Sequence, residues 1–473
     1  MRFHAPALVV CLCTFATAAS SAPGQHADCS RPLLRFSQSR GWAKDTNGLS
    51  YYRGEWHFFY QHECPGGLSA WGHAVSTNLV DWTELDDALL PDENGPCYSG
   101  SAVVDEEGVA GFGKGAHLLF YTAAFKTNGV ERFDQRVAYS TDGRRYVKPA
   151  DNLVLDNISP DNRDPFVFRH EPSGRWVMVL WGRDPDRRYE FWVFNSADLM
   201  HWTKTQTLYG GEWMDSGGYR YECPGLVELP VEGEDGTAWV LWGANRLYDV
   251  GLFDGREFIP FEQRLSSWRE GRKNPWYAGQ VFAGAPDGRR IWVGWSKVGT
   301  PEDSSFTDGF TIPQELTLRR TKAGLRLVRR PFRELEALRT GPAVSPEAFD
   351  GLLADAFFSA TATNNDTMAT FDIRGVKVAY NRAWGHLICG RQRVPWPSRG
   401  GRFSFRVVVD VRGYEIYSSD GLATFPVPEA LPDPSNRSIT VSSNIPLAGE
   451  DYRIYPLRAC RRSSLSGHEK EAP

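Results

Sequence analysis

The sequence predicts an all-β protein that folds as a five-bladed β-propeller followed by a C-terminal β-sandwich. A short aromatic-rich strand pattern recurs five times in the first 300 residues, and its copies are spaced by 61, 60, 61 and 53 residues. A turn pattern of Ser and Asn or Asp, leading into an aromatic residue, follows the first three copies and, more loosely, the fourth. A constant period with several short strands per unit is typical of repeat folds, and β-propellers have about four to eight blades. The aromatic residues that end the five copies are Tyr60, Tyr121, Trp181, Trp242 and Trp295.

The length of the repeat leaves one alternative fold open. The common propeller blade has about 40–45 residues, so a unit near 60 requires long loops. A β-sandwich with coincidental strand spacing would also give aromatic strands separated by turns. The strand and turn patterns agree at two places in successive units, and this agreement favours the propeller.

The pattern changes after the five units, which occupy residues 30–330. Residues 331–347 are rich in charge and Pro and predict a linker, with a short helical turn at 332–338. Residues 348–460 contain alternating segments separated by turns, which is typical of a β-sandwich. The polar residues 461–473 predict a disordered tail.

The composition argues against several classes of partner. The chain of 473 residues has a net charge of −5 and no long basic run, so a nucleic-acid partner is not indicated. The basic stretch at 319–339 alternates with apolar residues, which is typical of a solvated strand face. Beyond the N-terminus no stretch is long and apolar enough to cross a membrane, so no membrane partner is expected. The sequence does not predict an oligomeric state.

Residues 1–22 predict a signal peptide. Arg2 and His4 precede an apolar stretch at 7–15, and small residues up to position 22 offer cleavage sites. The protein is therefore expected to be secreted and extracellular.

The cysteines then predict disulfides. Cys11 and Cys13 leave with the signal peptide, and six of the eight cysteines remain. The sequence alone does not choose among their pairings. Cys64 and Cys97 are the first pair to expect, because both lie in loops beside predicted inner strands.

Three blades carry a carboxylate at a common position. If the aromatic strand is the second of its blade, the innermost strand, which lines the central channel, comes 15–20 residues earlier. Asp45, Asp164 and Glu222 precede the last aromatic residue of their units by 15, 17 and 20 residues. The second and fifth units have residues 98–101 and 277–280 at this place. We therefore expect the three carboxylates to meet at one end of one channel.

Each carboxylate also has a structural interpretation. Asp45 could be a turn residue, Asp164 could form an ion pair with Arg163, and Glu222 could be a charge at a strand end. Their common blade position favours a shared site instead. Converging carboxylates suit acid–base chemistry on a neutral, hydroxyl-rich ligand, and glycosidic bond cleavage needs one carboxyl group as acid and one as nucleophile or base. Burial and neighbouring like charges would raise the pKa of one of them.

Other catalytic motifs are absent from the sequence. Residues 111–115 look like a phosphate-binding loop, but Ala116 follows where Ser or Thr is needed. No Gly-x-Ser-x-Gly elbow is present, and no clustered histidines suggest metal ligands. The sequence therefore predicts neither a cofactor nor a metal.

At the residues of the predicted site the sequence resembles glycoside hydrolase family 32, which contains invertases, inulinases and levanases. Residues 42–48, 163–165 and 222–224 are similar to the family motifs W-M-N-D-P-N-G, R-D-P and E-C-P. The resemblance covers roughly residues 32 to 425 and implies a five-bladed propeller joined to a sandwich. Further similar blocks stand at 57–61, 71–74, 98–101, 309–316, 409–410 and 415–417.

The resemblance implies a retaining reaction that releases fructose from sucrose, inulin or levan through a covalent fructosyl–enzyme intermediate. Asp45 would be the nucleophile, and Glu222 would protonate the leaving sugar and then activate water. Asp164 with Arg163 would hold the fructose hydroxyls. The partner would be a small sugar or a fructan. The other substrate-binding residues that the resemblance implies are Lys44, Asn47, Gln61, Trp71, Tyr98 and Ser99.

The sequence also departs from the family pattern. Lys44 stands where the family has Asn before the nucleophile, and residues 274–276 read Asn-Pro-Trp where the family has an Asp. Two alternatives therefore stay open, namely a fructosyltransferase that makes fructo-oligosaccharides and a catalytically inactive fructan-binding protein.

Overall fold

The predicted propeller and sandwich are both present in the computed structural model of the chain. The structure describes residues 31–186, 188–211, 220–245, 247–266, 276–297, 305–428 and 430–464. Strands dominate it, and its helices are three short 3-10 turns at Glu171–Ser173, Arg333–Leu338 and Pro346–Ala348 within these residues. Five antiparallel sheets follow one another along the chain as blades, and two further sheets form the C-terminal sandwich.

Each of the first four blades is built from four consecutive strands, and the fifth from four strands with one short addition. The first two blades are β1 (Gly41–Tyr52), β2 (Glu55–Glu63), β3 (Ser69–Ser76), β4 (Trp82–Leu89), and β5 (Cys97–Asp105), β6 (Ala116–Thr127), β7 (Val130–Ser140), β8 (Leu153–Leu155). The third and fourth are β9 (Asp161–His170), β10 (Arg175–Arg183), β11 (Tyr189–Ser196), β12 (Thr203–Gly211), and β13 (Gly225–Pro230), β14 (Thr237–Trp242), β15 (Leu247–Phe253), β16 (Phe258–Ser266). The fifth contains β17 (Tyr277–Val281), β18 (Ile291–Ser296), β21 (Gln314–Thr321) and β22 (Gly324–Pro331), with β20 (Gly309–Phe310) paired to β18. Strand β19 (Phe306–Thr307) precedes β20 in the chain but pairs with β1 of the first blade.

The aromatic repeat of the sequence is the second strand of every blade. These strands, β2, β6, β10, β14 and β18, are sandwiched between two neighbours in their own sheet, and both of their faces pack against adjacent blades. A strand that is buried on both faces needs large apolar side chains at successive positions. This requirement explains why the aromatic signal recurs with the period of the blade.

The turn pattern of the sequence connects the third and fourth strands in four blades. In each, an Asx side chain accepts two backbone N–H groups from the residues that follow it, which closes the turn. The residue directly after the Asx has a positive φ in all four turns, and it is glycine in two of them and leucine in the other two. The four residues are Asn78, Asp142, Asp198 and Asp254.

Backbone pairing closes the ring between the fifth and first blades. Strand β19 runs parallel to β1, with Gly41 opposite Phe306. Further in, Ala283 donates its N–H to the carbonyl of Leu49 and accepts the N–H of Tyr51, both at 2.8 Å. The first and last blades are thereby held edge to edge, which fixes β1 beside β17 around the channel.

The C-terminal domain consists of two packed sheets. One has the order β31-β30-β29-β23-β33 with β28 at β29, and the other has the order β27-β26-β25-β24-β32. Apolar residues from both inner faces form a single core between them. The strands are β23 (Ala354–Ala362), β24 (Met368–Ile373), β25 (Val376–Asn381), β26 (His386–Cys389), β27 (Gln392–Pro395), β28 (Ser398–Arg399), β29 (Arg402–Val409), β30 (Tyr414–Ser418), β31 (Thr424–Val427), β32 (Ile439–Ser443) and β33 (Leu447–Pro456).

A buried ionic network joins the sandwich to the propeller. The guanidinium group of Arg35 contacts Asp410 at 3.2 Å and Glu415 at 3.1 Å, and its Nη1 also donates to the carbonyl of Phe310 in the fifth blade. Glu415 accepts the N–H of Ile312 at 2.6 Å. Because all three charged side chains are almost fully buried, they fix how the two domains pack.

Two predictions about the chain differ from the structure. The expected disordered tail begins with a short strand, β34 (Arg462–Ser464), which pairs in parallel with β4, because the edge of the first blade offers free backbone groups there. The expected disulfide between Cys64 and Cys97 is absent, since both thiols are free. Cys64 Sγ donates to its own loop at the carbonyl of Leu68, while Cys97 Sγ contacts the carbonyl of Leu90.

The termini lie largely outside this description. The predicted signal peptide at 1–22 and residues 465–473 fall outside the described residues. None of the helices in the described part of the chain has the length and apolar character needed to cross a bilayer.

Candidate active site

Backbone irregularities mark one end of the channel. The innermost strand of four blades carries one extra residue relative to its partner at a corresponding place, which is a β-bulge. Bulges redirect side chains and are common beside active sites. Asp45, Ser99 and Asp164 each lie within one of them. The bulges fall between Ala43 and Thr46 in β1, Tyr98 and Gly100 in β5, Arg163 and Phe166 in β9, and Tyr277 and Gln280 in β17.

In the fourth blade, the residues at the same end of the channel have an unusual backbone conformation. Glu222 and Cys223, just before β13, have φ values of 47° and 41°, and Asp164 has a φ of 64°. A positive φ is uncommon for residues other than glycine, and such conformations cluster at functional sites. Ala244 holds this turn by donating its N–H to the carbonyls of Tyr221 and Glu222, both at 2.9 Å.

The three predicted carboxylates line one cavity of about 740 Å³. They come from three different blades, as the spacing predicts. Five other predicted residues line the same cavity, namely Lys44, Gln61, Tyr98, Ser99 and Arg163.

Asp45 is tied to the second blade. The hydroxyl group of Ser99 donates to its Oδ2 at 2.6 Å, and Gln61 donates to Ser99 Oγ at 2.9 Å. Burial raises the pKa of Asp45 to about 6, against the hydrogen bond from Ser99, which lowers it. The charge of Glu222 adds to the increase in pKa, and that of Lys44 opposes it. Asp45 is therefore ionised above about pH 6.

Asp164 is buried in the cavity wall and contacts Cys223. Its Oδ2 accepts the backbone N–H of Cys223 at 3.0 Å. The Sγ of Cys223 lies 3.5 Å from Asp164 Oδ2 and 3.6 Å from Asp45 Oδ2, so one sulfur touches both carboxylates. Burial raises the pKa of the thiol, which keeps it a neutral donor. Burial also raises the pKa of Asp164 to about 7, although Arg163 opposes this.

Glu222 is held by two partners from neighbouring blades. Its Oε1 accepts a hydrogen bond from Nη2 of Arg163, and its Oε2 accepts one from the hydroxyl group of Tyr277. The Arg163 guanidinium group stacks on the ring of Trp181 with its central carbon 4.2 Å from the ring centroid. Because both carboxylate oxygens are engaged from the sides, the orientation of Glu222 toward the cavity is fixed.

Two of the predicted binding residues lie behind the cavity wall. Trp71 is completely buried and donates its Nε1–H to the carbonyl of Tyr98 at 2.9 Å. Asn47 is also completely buried, and its amide group contacts the backbone of its strand neighbours. Gly48 allows this packing, because its φ is 51° and a Cβ there would lie 3.2 Å from the Trp71 ring. These side chains support the bulges and do not face the ligand space.

The rim of the cavity combines aromatic and cationic groups. The ammonium group of Lys44 is exposed and lies 4.6 Å from the centroid of the Trp42 ring. Trp295 lines the cavity from the fifth blade and packs edge-on against Tyr277. Flat aromatic faces beside polar groups suit the binding of a sugar ring at the rim, outside the buried end of the site.

A second cavity of about 820 Å³ lies along the opposite ends of the same inner strands. It is the larger of the two, but none of the three predicted carboxylates reaches it. The three predicted carboxylates therefore belong to the smaller cavity. No group of three or more His, Cys, Asp or Glu side chains within the described ranges has an arrangement that could hold a metal ion.

Comparison with known proteins decides the family. Residues 35–331, which span the whole propeller, match the glycosyl hydrolases family 32 N-terminal domain. The chain belongs to glycoside hydrolase family 32. The predicted membership is thereby confirmed, together with the fold class.

Relatives in family 32 cover most of the chain. A levanase of Bacillus subtilis is 31% identical and aligns with 94% of this chain and 73% of its own length. An extracellular exo-inulinase of Meyerozyma guilliermondii is 33% identical over 61% of this chain and 59% of its own. The chain thus spans between about half and three quarters of the curated relatives that it matches. The crystal structure of exo-inulinase from Aspergillus awamori has the same fold, with a TM-score of 0.78 at 23% identity and coverage of 91% of this chain and 98% of that one.

Several residues that line or adjoin the cavity of the three carboxylates were not assigned to the site from the sequence. Tyr277, Asp161 and Trp295 line the cavity with the predicted residues, and Cys223 touches two of the carboxylates. Tyr277 stands in the stretch 277–280 that the blade spacing places at the channel, so the period itself could have indicated it. Cys223 is the middle residue of the 222–224 motif, but the motif alone assigns it no contact. Asp161 lies two residues before the 163–165 motif and carries no sequence signal of its own.

Proposed function

We propose that the protein is a secreted, retaining β-fructosidase that removes terminal fructose units from sucrose, inulin or levan. The observation that carries this proposal is the meeting of Asp45, Asp164 and Glu222 in one cavity with hydroxyl and guanidinium groups between them. Membership of family 32, and relatives named levanase, exo-inulinase and invertase, support the substrate class.

In the first step the Asp45 carboxylate attacks the anomeric carbon of the fructosyl unit. Glu222 donates its proton to the glycosidic oxygen, so that the aldose or shortened fructan leaves as a neutral alcohol. A covalent fructosyl–Asp45 ester remains. The hydrogen bond from Ser99 and the neighbouring Cys223 thiol group keep the attacking carboxylate in place before the reaction.

In the second step Glu222, now a carboxylate, takes a proton from a water molecule that attacks the same carbon. Asp45 leaves, and fructose is released with its original anomeric configuration. Asp164 and Arg163 bind fructose hydroxyl groups and stabilise the positive charge that develops on the ring. Cleavage confined to chain ends is part of the proposal, and the relative named an extracellular exo-inulinase supports it.

Secretion is part of the proposal. It rests on the signal pattern at 1–22 and on the extracellular location named for the Meyerozyma guilliermondii exo-inulinase. Expression of the full chain with analysis of the medium and of the mature N-terminus tests it. Cleavage near residue 22 is expected, and full-length protein retained in the cells would contradict it.

Incubation with sucrose, inulin and levan, followed by chromatography of the products, tests the activity. An exo-acting hydrolase is supported if fructose is the first product released from these substrates. Accumulation of trisaccharide at high sucrose concentration identifies a fructosyltransferase. Binding to levan without any fructose release identifies an inactive fructan-binding protein and contradicts the proposal.

A further inference from the structure

We propose that Asp161 is a positioning residue that draws part of the positive charge of Arg163 away from Glu222. In the reaction proposed above, on which this inference rests, this allows Glu222 to hold the proton that the leaving sugar needs. Asp161 lies outside the Arg163-Asp164-Pro165 motif and faces the cavity beside it.

Strand geometry places Asp161 against Arg163. Alternate residues of a strand share a face, so Asp161 and Arg163 of β9 point to the same side. In the register with β10, Asp161 lies opposite Arg183, and Arg163 lies opposite Trp181. Directly opposed side chains on an antiparallel pair are in contact range. The four residues therefore form a compact block of two arginines, one carboxylate and one indole ring.

The guanidinium group of Arg163 is shared between two carboxylates. Its Nη1 contacts Asp161 Oδ1, while its Nη2 contacts Glu222 Oε1. The ring of Trp181 under its face keeps the guanidinium plane from rotating. Arg183 Nη2 lies 3.9 Å from the second oxygen of Asp161, which holds that carboxylate in turn. Side chains of Asp161, Arg163 and Glu222 are each less than one fifth exposed, so solvent screens these charges only in part.

This sharing bears directly on the proton of Glu222. A full positive charge in contact with a carboxyl group favours its ionised form, whereas the acid of a glycosidase must hold a proton until the bond breaks. Asp161 neutralises the same guanidinium group from its other end. Burial raises the pKa of Asp161, and the charge of Glu222 adds to this against the effect of Arg163. The two carboxylates therefore interact with one another as well as with the arginine.

The other groups around Glu222 come from β9 itself, from β1 and β17, and from the residue before Glu222. Asp45 on β1 and Asp164 on β9 are carboxyl groups whose own pKa values are raised by burial first and also by the charge of Glu222. The phenol groups of Tyr277 on β17 and of Tyr221 beside it are hydrogen-bond donors. Arg163 is the positive group in contact with Glu222 among the described residues. A change in how its charge is shared therefore acts directly on Glu222.

The pH profile of Asp161→Asn tests the inference. The alkaline limb of kcat/KM reports loss of the acid proton in the free enzyme. We expect this limb to move down by about 0.5–1 pH unit, with a roughly three- to tenfold lower kcat/KM at pH values above the limb and little change at pH 5. Asp161→Glu restores the carboxylate and should return the limb toward its wild-type position. Asp156→Asn is the matched control, because Asp156 pairs with Arg132 at the surface and does not contact Arg163.

An alkaline limb that stays in place or moves up in Asp161→Asn, with an unchanged melting temperature, contradicts the inference. A loss of activity that is equal at all pH values assigns Asp161 a purely structural role and also contradicts it. A wild-type enzyme that releases no fructose from sucrose, inulin or levan contradicts the proposed function itself, and the inference falls with it. An active wild type with an unshifted variant overturns the inference alone.

Discussion

The hydroxyl group of Ser99 donates a hydrogen bond of 2.6 Å to Asp45, across the boundary between the first and second blades. This bond favours the ionised form and lowers the pKa of Asp45, against burial, which raises it. In Ser99→Ala the opposing effect is lost, so the pKa of Asp45 should rise further. We expect the acidic limb of kcat/KM to move up by about 0.5–1 pH unit, with a larger loss of activity at pH 5 than at pH 7.5.

Ser69→Ala is the control for this variant. Ser69 also lines the cavity, but its hydroxyl group donates to the carbonyl of Cys97 and does not reach Asp45. Its pH profile should match the wild type. An acidic limb that shifts equally in both variants would show that Ser99 does not act through Asp45.

Tyr277→Phe removes the hydroxyl group that donates to Glu222 and keeps the ring against Trp295. A donor to a carboxylate favours its ionised form. We expect kcat to fall about tenfold to a hundredfold, because Glu222 is less well oriented. We also expect the alkaline limb of the kcat/KM profile to move to higher pH. This direction is opposite to that expected for Asp161→Asn, so pH profiles of the two variants check each other. Limbs that move the same way would contradict the assigned contacts.

The buried carboxylate of Asp164 should make the protein less stable at neutral pH than in mild acid. Its pKa rises from 3.8 in the unfolded chain to about 7 in the fold, so the native state binds the extra proton in this range. This contribution to stability is complete below about pH 4 and is lost as the pH rises through about 7. We expect Asp164→Asn to be more stable than the wild type at pH 8, by on the order of 1–4 kcal/mol, and equally stable at pH 4.

Thermal unfolding at both pH values measures this effect. The variant should also be inactive, which separates stability from function at one position. Equal melting temperatures at pH 8 would contradict the burial of an ionisable Asp164. The control is Asp198→Asn at an exposed turn, where the pKa of the carboxyl group is lowered to about 2 despite burial, through hydrogen bonds from His201 and its backbone. That variant should be less stable at pH 8.

Arg35→Ala should separate the sandwich from the propeller. The substitution leaves Asp410 and Glu415 buried without their cation, which typically costs about 3–5 kcal/mol. We expect a lower melting temperature or two separate transitions in calorimetry, since the network joins the domains. Arg320→Ala, which breaks an exposed pair with Glu234, should change nothing measurable. A similar effect of the two substitutions would contradict the importance of the buried network.

The period of the sequence was enough to predict the blades and the end of the channel. Strands β2, β6, β10, β14 and β18 are buried on both faces, and this requirement appears directly as repeated aromatic residues. The three carboxylates precede the last aromatic residue of their units by similar distances of 15, 17 and 20 residues, so Asp45, Asp164 and Glu222 could be placed together from spacing alone. The roles of these three residues remain predictions.

Local backbone geometry could not be predicted in the same way. The bulges depend on how each inner strand pairs with its neighbour, and they decide that Ser99 faces Asp45 while Trp71 and Asn47 turn into the wall. The Cys64–Cys97 disulfide was predicted from loop positions, but each thiol group points to a carbonyl of the adjoining loop. Strand β34 depends on an open edge at β4 that the sequence of the tail does not reveal.

The rate of fructose release by Asp45→Asn, compared with the wild type on the same substrate, tests the central claim most directly. Asn keeps the shape of the side chain and can accept the hydrogen bond from Ser99, but it cannot form the fructosyl ester. We expect the rate to fall at least about a thousandfold, with unchanged thermal unfolding or a higher melting temperature at pH 8. A folded Asp45→Asn variant that releases fructose within about tenfold of the wild-type rate would contradict Asp45 as the nucleophile of this site.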